Sequence, residues 1–459
     1  MSTPAPTSRE LDRPLLIGAV VLITVGAFEN LAVTTILPVI ARDLDGFAIY
    51  ALAAGLPLAL QVVASAVGGL LIDAISFQRP LLAGALTSAA GLLIAGFAPE
   101  MWLLALGRGI AGFGFGTVAV SLYAAVGLVI APPRRPTFFA AFSAAWVVPG
   151  MVGPALAGVL ADAGLWRAVL LGVLPFSVIA LILLRPILKS PPTVAADTAP
   201  IRTRARGVVP AALGLAIALA ALQTAGAGGR ASIGAAVVAF LAVLVILPLL
   251  LPRGTFRLRL GVPSAVAARL FLNGGVVGME TYLALFLQEG RGWSPSAAGL
   301  VLTAGSISWA TGAAVQSRLT GERRRYRWAV AGSTFVAAGV ALTALVVLPP
   351  VPTALAPFAW LIAGFGMGVT FSSLSVFSLD NTPAPKQGEI SAALQIADGS
   401  GAALSIAIGG VMITLLGRTD AGFAGTFLAL LVVALLAVIA TSRVRNVTGT
   451  VSAADDATA

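Results

Sequence analysis

Long apolar segments dominate this chain of 459 residues and limit what it can fold into. Fourteen runs of roughly twenty mostly apolar residues follow one another, separated by charge clusters and Pro/Gly turns. A helix needs about 20 such residues to cross the hydrocarbon layer of a membrane. Charged residues make up only 10% of the chain, which is too few to cover the surfaces of soluble domains. The sequence therefore predicts an all-α polytopic membrane protein with fourteen transmembrane helices.

The positions of the basic residues test this count independently. If the N-terminus is cytoplasmic, 21 of the 28 Lys and Arg residues fall on the cytoplasmic side, five fall on the other side, and Arg108 and Arg269 lie inside spans. This split follows the positive-inside rule. A cleaved signal peptide in the first span is the competing interpretation, but its removal would destroy the alternation. We expect a multi-pass protein of the cell membrane with both termini in the cytoplasm.

Residue types that the chain lacks exclude several functions. There is no Cys and no His, which excludes disulfides, thiolate or imidazole metal sites, and Ser-His or Cys-His nucleophiles. A membrane enzyme such as an acyl or glycosyl transferase would need a base or a metal cluster near an interface. The net charge of +10 does not indicate nucleic acid, because the basic residues sit between apolar blocks. We expect no enzyme activity, no cofactor and no nucleic-acid partner.

An internal repeat divides the chain into two halves. Residues 110–116, IAGFGFG, recur as residues 362–368, IAGFGMG, at an offset of 252. Two repeats that face each other across a central cavity are typical of alternating-access transporters. The predicted order is an N-terminal cytoplasmic tail (1–13), a six-helix bundle (14–184), a cytoplasmic linker (185–207), an inserted helix pair (208–251), a second six-helix bundle (262–442) and a cytoplasmic tail (443–459).

Three carboxylates lie in the middle of predicted spans: Glu29, Glu280 and Asp398. Each costs about 2.5–3.5 kcal/mol on insertion scales, so such residues are candidates for function. Burial disfavours the charged form of a carboxyl group, which can then take up a proton on one side and release it on the other. A deprotonated carboxylate can hold a cationic substrate, so that proton and cation compete. The alternative is a structural carboxyl held by a neighbouring helix, for example by Arg108.

The first span carries a family resemblance. Glu29 stands nine positions before Pro38 in the segment ENLAVTTILP. Here the chain resembles the drug:proton antiporters of the major facilitator superfamily, specifically the fourteen-helix branch, whose usual acid at this place is Asp. Glu is one methylene longer. The resemblance implies that Glu29 couples proton and substrate, and it covers essentially residues 14–442.

Further motifs follow in the same order as in the family. Gly69–Asp73 matches the first half of the superfamily's loop motif, but the usual Gly-Arg-Lys is replaced by Ser-Phe-Gln, which leaves only Arg79. Arg108 resembles the family's arginine of the fourth helix, for which the resemblance implies proton relay or charge balance; the alternative is an interfacial arginine. The resemblance implies that Asp73 and Arg79 latch one gate, although the altered loop makes this latch weaker or differently built.

The fifth span contains the most antiporter-specific pattern. Residues 149–158 read PGMVGPALAG and resemble the antiporter motif, in which glycines and proline kink the helix and allow close packing. The alternative is ordinary small-residue packing. The resemblance assigns conformational roles to Gly153, Pro154 and Gly158.

The resulting expectation is a monomeric, proton-coupled exporter of amphipathic, mainly cationic small molecules, surrounded by membrane lipids and driven by the proton gradient. Such a protein would act in multidrug efflux and antibiotic resistance. The alternative on the same fold is an exporter of a lipid, siderophore or secondary metabolite. Proton-coupled peptide importers also have fourteen helices, but the Glu-Arg-Phe-type motif expected in their first helix is absent, since Glu29 is followed by Asn30.

Overall fold

The computed structural model is helical throughout the part of the chain that it describes. That part comprises residues 8–130, 134–189, 199–224, 231–319, 322–348, 351–383 and 387–444. Within these residues thirteen helices are long and apolar enough to cross a membrane, and a shorter apolar helix covers Gly234–Leu250. The prediction of an all-α polytopic protein is confirmed.

The first bundle contains seven helical segments. Its helices are α1 (Ser8–Asp43), α2 (Tyr50–Ile75), α3 (Gln78–Gly96), α4 (Met101–Val129), α5 (Arg135–Asp162), α6 (Trp166–Leu171) and α7 (Leu174–Leu188). The predicted sixth span is thus broken into α6 and α7, and α7 has Pro175 in its first turn. Pro175 is suited to the start of a helix, because the first N–H groups of a helix have no partner within it and the missing N–H of proline costs no hydrogen bond there. Helix α1 packs on α5 and α7, and α4 packs on α2 and α3.

The second bundle repeats this packing. Its helices are α10 (Val262–Leu285), α11 (Pro295–Ser317), α12 (Glu322–Leu345), α13 (Ala356–Asp380), α14 (Gln387–Leu416) and α15 (Asp420–Thr441). Helix α10 packs on α14 and α15, while α13 packs on α11 and α12. These pairs correspond to α1 with α5 and α7, and to α4 with α2 and α3. The structure therefore shows the two-fold relation that the internal repeat predicts.

Two seams join the bundles, because α5 packs on α11 and α2 packs on α14. The inserted pair consists of α8 (Ala199–Gln223) and α9 (Ala231–Leu250). Helix α8 packs on both α2 and α14, and α9 packs on α8. The insert thus covers one of the two seams.

The membrane protein has two faces, which are named here by charge. The basic face is the one at which α1 begins, and it carries most of the Lys and Arg residues; the distal face is the opposite one. A large buried apolar cluster draws residues from both bundles, and its members on the distal side include Tyr50, Leu283, Phe286 and Leu302. This shared core closes the space between the bundles on the distal side.

Candidate functional site

Glu29 forms a buried ion pair in the first bundle. The Nε of Arg108 on α4 donates to Oε1 of Glu29 on α1 over 3.1 Å, and Arg108 Nη1 donates to the carbonyl of Ala53 on α2 over 2.8 Å. Both side chains are almost fully buried. A buried charge of this kind needs a partner and further hydrogen bonds to be tolerated. Arg108 therefore balances Glu29 and links three helices, rather than lying at an interface.

A second buried ion pair lies in the other bundle. Arg269 on α10 donates through Nε to Oδ1 of Asp398 on α14 over 2.9 Å, and its Nη2 contacts Oδ2 of the same carboxylate. Its Nη1 donates to the hydroxyl of Ser375 on α13 over 2.6 Å. The guanidinium carbon lies 3.5 Å from the centroid of the Phe371 ring. Asp398 is thus held in a bidentate, charge-assisted contact.

Glu280 differs from the other two carboxylates. It lies on α10 and is partly buried, and among the described residues no hydrogen bond or ion pair to its side chain is present. Of the three predicted coupling carboxylates, Glu280 is therefore the one without a counter-charge in the described part of the chain.

Arg269, Asn273 and Glu280 share one side of α10. Asn273 and Glu280 follow Arg269 by four and eleven residues, which places all three on one stripe of a helix with 3.6 residues per turn. Asn273 and Glu280 are half-buried, and Asn273 donates to the backbone carbonyl of Asp398 over 2.9 Å. At about 1.5 Å per residue, Glu280 lies roughly 16 Å along the helix axis from Arg269. The stripe runs from the ion pair towards the distal face.

The residues of the antiporter-like motif lie at the seam between α5 and α11. A Cβ added to Gly158 would lie 2.5 Å from the carbonyl oxygen of Pro295, and one added to Gly299 would lie 2.3 Å from that of Pro154. A Cβ added to Gly153 would meet the ring of Phe28 on α1 at 3.4 Å. Glycine is therefore required at Gly158 for the close approach of the two bundles.

A hydrogen bond between two side chains spans the altered loop between α2 and α3. Ser76 adopts a left-handed conformation with φ 70°, and its hydroxyl donates to Oε1 of Gln78 over 2.6 Å. Arg79 is exposed in the first turn of α3. The side chain of Asp73 lies outside the described part of the structure, so the predicted latch of Asp73 and Arg79 remains a prediction.

Polar contacts between the bundles gather near the distal face. Arg42 at the end of α1 forms an ion pair with Glu289 in the π-helical turn Phe286–Gly290 that follows α10. In the same turn Gln288 Nε2 donates to the carbonyl of Thr35 over 2.7 Å. The hydroxyl of Tyr50 donates to the carbonyl of Thr281 over 3.1 Å. These contacts join the bundles in a distal-closed conformation.

Sequence reasoning missed part of the second centre. The sequence identifies Arg269 only as an arginine inside a span, and it singles out neither Phe371 nor Ser375. The signal that could have found Arg269 is the cost of an arginine inside a membrane span, which demands a nearby carboxylate. Phe371 gives no such signal, because an apolar residue in a membrane helix is ordinary.

Two helical bundles that face each other, with buried charges between the helices, are typical of membrane transporters of the alternating-access type. The family model of the Major Facilitator Superfamily matches residues 17–406, and the chain belongs to this superfamily. It is a transporter of small molecules and not an enzyme.

Relatives and solved structures agree with this assignment. The chain is 26% identical to a probable multidrug-efflux transporter of Mycobacterium tuberculosis, over 93% of this chain and 92% of that protein. It is 29% identical to a probable actinorhodin transporter of Streptomyces coelicolor, over 82% of this chain and 68% of that protein. A POT family transporter solved with a thioalcohol-conjugated peptide matches with a TM-score of 0.71 at 14% identity, covering 95% of this chain and 97% of that one. At this identity the last likeness shows the fold alone.

Proposed function

We propose that the protein is a proton-coupled exporter that exchanges protons for amphipathic, mainly cationic small molecules. The observation that carries the proposal is Glu280, a carboxyl inside a membrane helix without a counter-charge among the described residues. Such a group holds a proton in a low-dielectric setting and releases it when a cation arrives. Relatives named a probable multidrug-efflux transporter in Mycobacterium tuberculosis and a multidrug transporter protein in Bacillus subtilis support drug-like small molecules as cargo.

The two ion pairs have a different part in this mechanism. Glu29 and Asp398, the other predicted coupling carboxylates, each face an arginine that balances their charge. Protonation of either carboxylate weakens its ion pair, and a cationic substrate that binds there competes with the arginine. Arg108 and Arg269 therefore act as internal counter-ions, and Glu280 takes up and releases the transported proton.

Alternating access requires that the two seams open in turn. The distal contacts, including the Arg42–Glu289 pair, break when the bundles tilt towards the other state. Gly158 keeps the α5–α11 seam close enough to act as a pivot. The distribution of basic residues supports placing the basic face and both termini in the cytoplasm, so that the distal face is the side of release.

A transport assay tests the proposal. Purified protein is reconstituted in vesicles that enclose a pH indicator, and ethidium, a permanently charged aromatic cation, is added outside. Wild-type protein is expected to couple ethidium movement to an opposite proton flux that an uncoupler abolishes. Glu280→Gln is expected to reduce this flux to the level of empty vesicles. Proton-coupled ethidium transport at the wild-type rate by Glu280→Gln would contradict the proposal.

A second candidate, export of a secondary metabolite, is favoured by the likeness to the actinorhodin transporter. It predicts no transport of simple lipophilic cations, so the ethidium assay separates the two. Under this reading, cells that carry the protein would instead accumulate less of an aromatic metabolite, and the difference would vanish with an uncoupler.

A further inference from the structure

The surroundings of Arg269 form a receptor for a planar cation. The guanidinium carbon of Arg269 lies over the Phe371 ring, 3.5 Å from its centroid. Both carboxylate oxygens of Asp398 accept hydrogen bonds from the guanidinium. The Ser375 hydroxyl accepts a third hydrogen bond over 2.6 Å. The ring itself is braced edge-to-face by Trp309, whose centroid lies 5.9 Å away. An aromatic face, a carboxylate and a hydroxyl are the groups that bind delocalised organic cations.

The groups around Arg269 differ in their exposure. Phe371 and Ser375 are half-buried, whereas Arg269 is 5% exposed. Asn273, one turn further along α10, is half-buried as well. The ring and the hydroxyl therefore keep some exposed surface beside the buried guanidinium.

We propose that Phe371, Asp398 and Ser375 form a binding site for planar organic cations, and that Arg269 occupies this site as a tethered competitor. The inference rests on the proposed export of cationic molecules and names the shape of the cation. When no cargo is bound, Arg269 spares Asp398 the cost of an unpaired buried charge. When a planar cation binds, it replaces the guanidinium on the ring and at the carboxylate.

The tethered arginine gives the site selectivity. A flat cation can match the stacking that Arg269 makes and place its charge beside Asp398, whereas a tetrahedral cation cannot lie on the ring. The charge of Asp398 stays balanced in both states, because the guanidinium moves away from the carboxylate as the cargo cation takes its place. Affinity for cargo is thereby lowered, which favours release.

Binding of ethidium to the purified full chain in detergent, without any proton gradient, tests the proposal. Arg269→Ala is expected to raise the affinity for ethidium by about tenfold, the range of a desolvated cation–π contact. Arg269→Ala combined with Phe371→Leu, or with Asp398→Asn, is expected to lose this gain. Tetraphenylphosphonium, a bulky tetrahedral cation, is expected to gain less than ethidium.

The matched control is Arg108→Ala, which frees the carboxylate of Glu29 in the other bundle. An equal gain in ethidium affinity there would show that a free carboxylate suffices, and it would overturn the proposed site. Unchanged or weaker ethidium binding by Arg269→Ala would overturn it as well. Arg269→Gln, which keeps a hydrogen-bonding group beside Asp398, is expected to show an intermediate gain and serves where Arg269→Ala does not fold.

The result is independent of the transport assay. Binding of ethidium is measured without a gradient, and Glu280 is unchanged in all of these variants. A protein that binds ethidium as expected but moves no protons would contradict the proposed antiport while leaving the binding site in place. Proton-coupled transport without the gain in Arg269→Ala would leave the proposed function and remove this site.

Discussion

The two bundles share one helix arrangement but differ in how they hold charge. In the first bundle, Arg108 donates through Nε to Glu29 and through a second nitrogen to a backbone carbonyl of α2. In the second bundle, Arg269 grips Asp398 with two nitrogens, bonds a hydroxyl with the third and stacks on an aromatic ring. The first pair ties helices together through the backbone, whereas the second rests on side chains that an external cation can also use.

The same comparison separates the three membrane carboxylates. Glu29 and Asp398 are each balanced by an arginine, while Glu280 has no counter-charge in the described part of the chain. The internal repeat aligns Glu29 with Glu280 to within one residue, yet the arginine that pairs with Glu29 corresponds in the second bundle to Trp360, at the offset of 252. Repeated helices therefore carry unequal chemistry, which gives the second bundle the unbalanced acid.

The largest expected effect comes from breaking one partner of either pair. Arg108→Ala or Arg269→Ala leaves a buried carboxylate without a counter-charge, and removing one partner of such a pair costs about 3–5 kcal/mol. The free energy of unfolding of the purified protein is the measurement. Neutralising both partners, as in Glu29→Gln with Arg108→Gln, is expected to recover most of the loss. If the single variants were as stable as the double variant, the two partners of each pair would not depend on each other, which would contradict this prediction.

A charge-conserving change sharpens the difference between the bundles. Arg269→Lys keeps the positive charge but loses the planar fork and the stacking on Phe371, whereas Arg108→Lys loses only its second hydrogen bond. We expect Arg269→Lys to be less stable than Arg108→Lys by about 1–2 kcal/mol, the range of a cation–π contact from an exposed to a desolvated site. Equal losses in the two variants would show that the ring contributes nothing.

A comparable effect is expected where the bundles meet through glycine. A Cβ on Gly158 would lie 2.5 Å from the backbone oxygen of Pro295, whereas a Cβ on its repeat mate Gly410 would lie 2.6 Å from the methyl group of Ala51. Overpacking of this kind costs about 1–3 kcal/mol. Ala51→Gly removes the obstructing methyl, so it is expected to rescue Gly410→Ala in a double-mutant cycle. The obstructing atom at Gly158 is a backbone oxygen, so no side-chain substitution is expected to rescue Gly158→Ala. Rescue of Gly410→Ala by a glycine substitution at a distant position would contradict the contact between Gly410 and Ala51.

The smallest effect is expected at the distal ion pair. Arg42 is 59% exposed in its side chain, and exposed pairs contribute about 0.2–1 kcal/mol. Arg42→Gln is therefore expected to shift the distal-closed population by less than about sixfold. Because the chain has no Cys, spin labels on Ala48→Cys and Ala421→Cys can report the distance between the bundles. Loss of the closed state in this variant would show that the pair, rather than the shared apolar core, closes the distal face.

Much of the fold follows from the sequence. Apolar runs long enough to span a membrane predict the helices, and the repeat of residues 110–116 predicts the two-fold packing of the bundles. The sequence also indicates that the inserted pair is extra. It does not predict the packing of this pair over the α2–α14 seam, because α8 and α9 have no repeat mate to indicate where they pack. The turn Phe286–Gly290 likewise gives no pattern that distinguishes a π-helix from an α-helix.

The site was predictable only in part. A carboxylate in the middle of a membrane span is energetically costly, so Glu29, Glu280 and Asp398 can be selected from the sequence as candidate functional residues. Whether a carboxylate has a partner depends on contacts between distant parts of the chain. The two partners are separated by 79 positions in the first ion pair and by 129 in the second. The rotation of each helix about its own axis decides whether such partners meet. The pairing of Glu29 with Arg108 was one of two sequence interpretations, whereas the pairing of Arg269 with Asp398 and the ring beneath it needed the structure.

The central claim is that the carboxyl without a counter-charge exchanges its proton for a cation. The most direct measurement is proton release on addition of ethidium to purified protein in weakly buffered detergent solution, followed with a pH indicator. We predict that wild-type protein and the Glu29→Gln/Arg108→Gln double variant release protons, and that a folded Glu280→Gln variant releases none. Undiminished proton release by Glu280→Gln would contradict the claim and assign the exchange to one of the paired carboxylates.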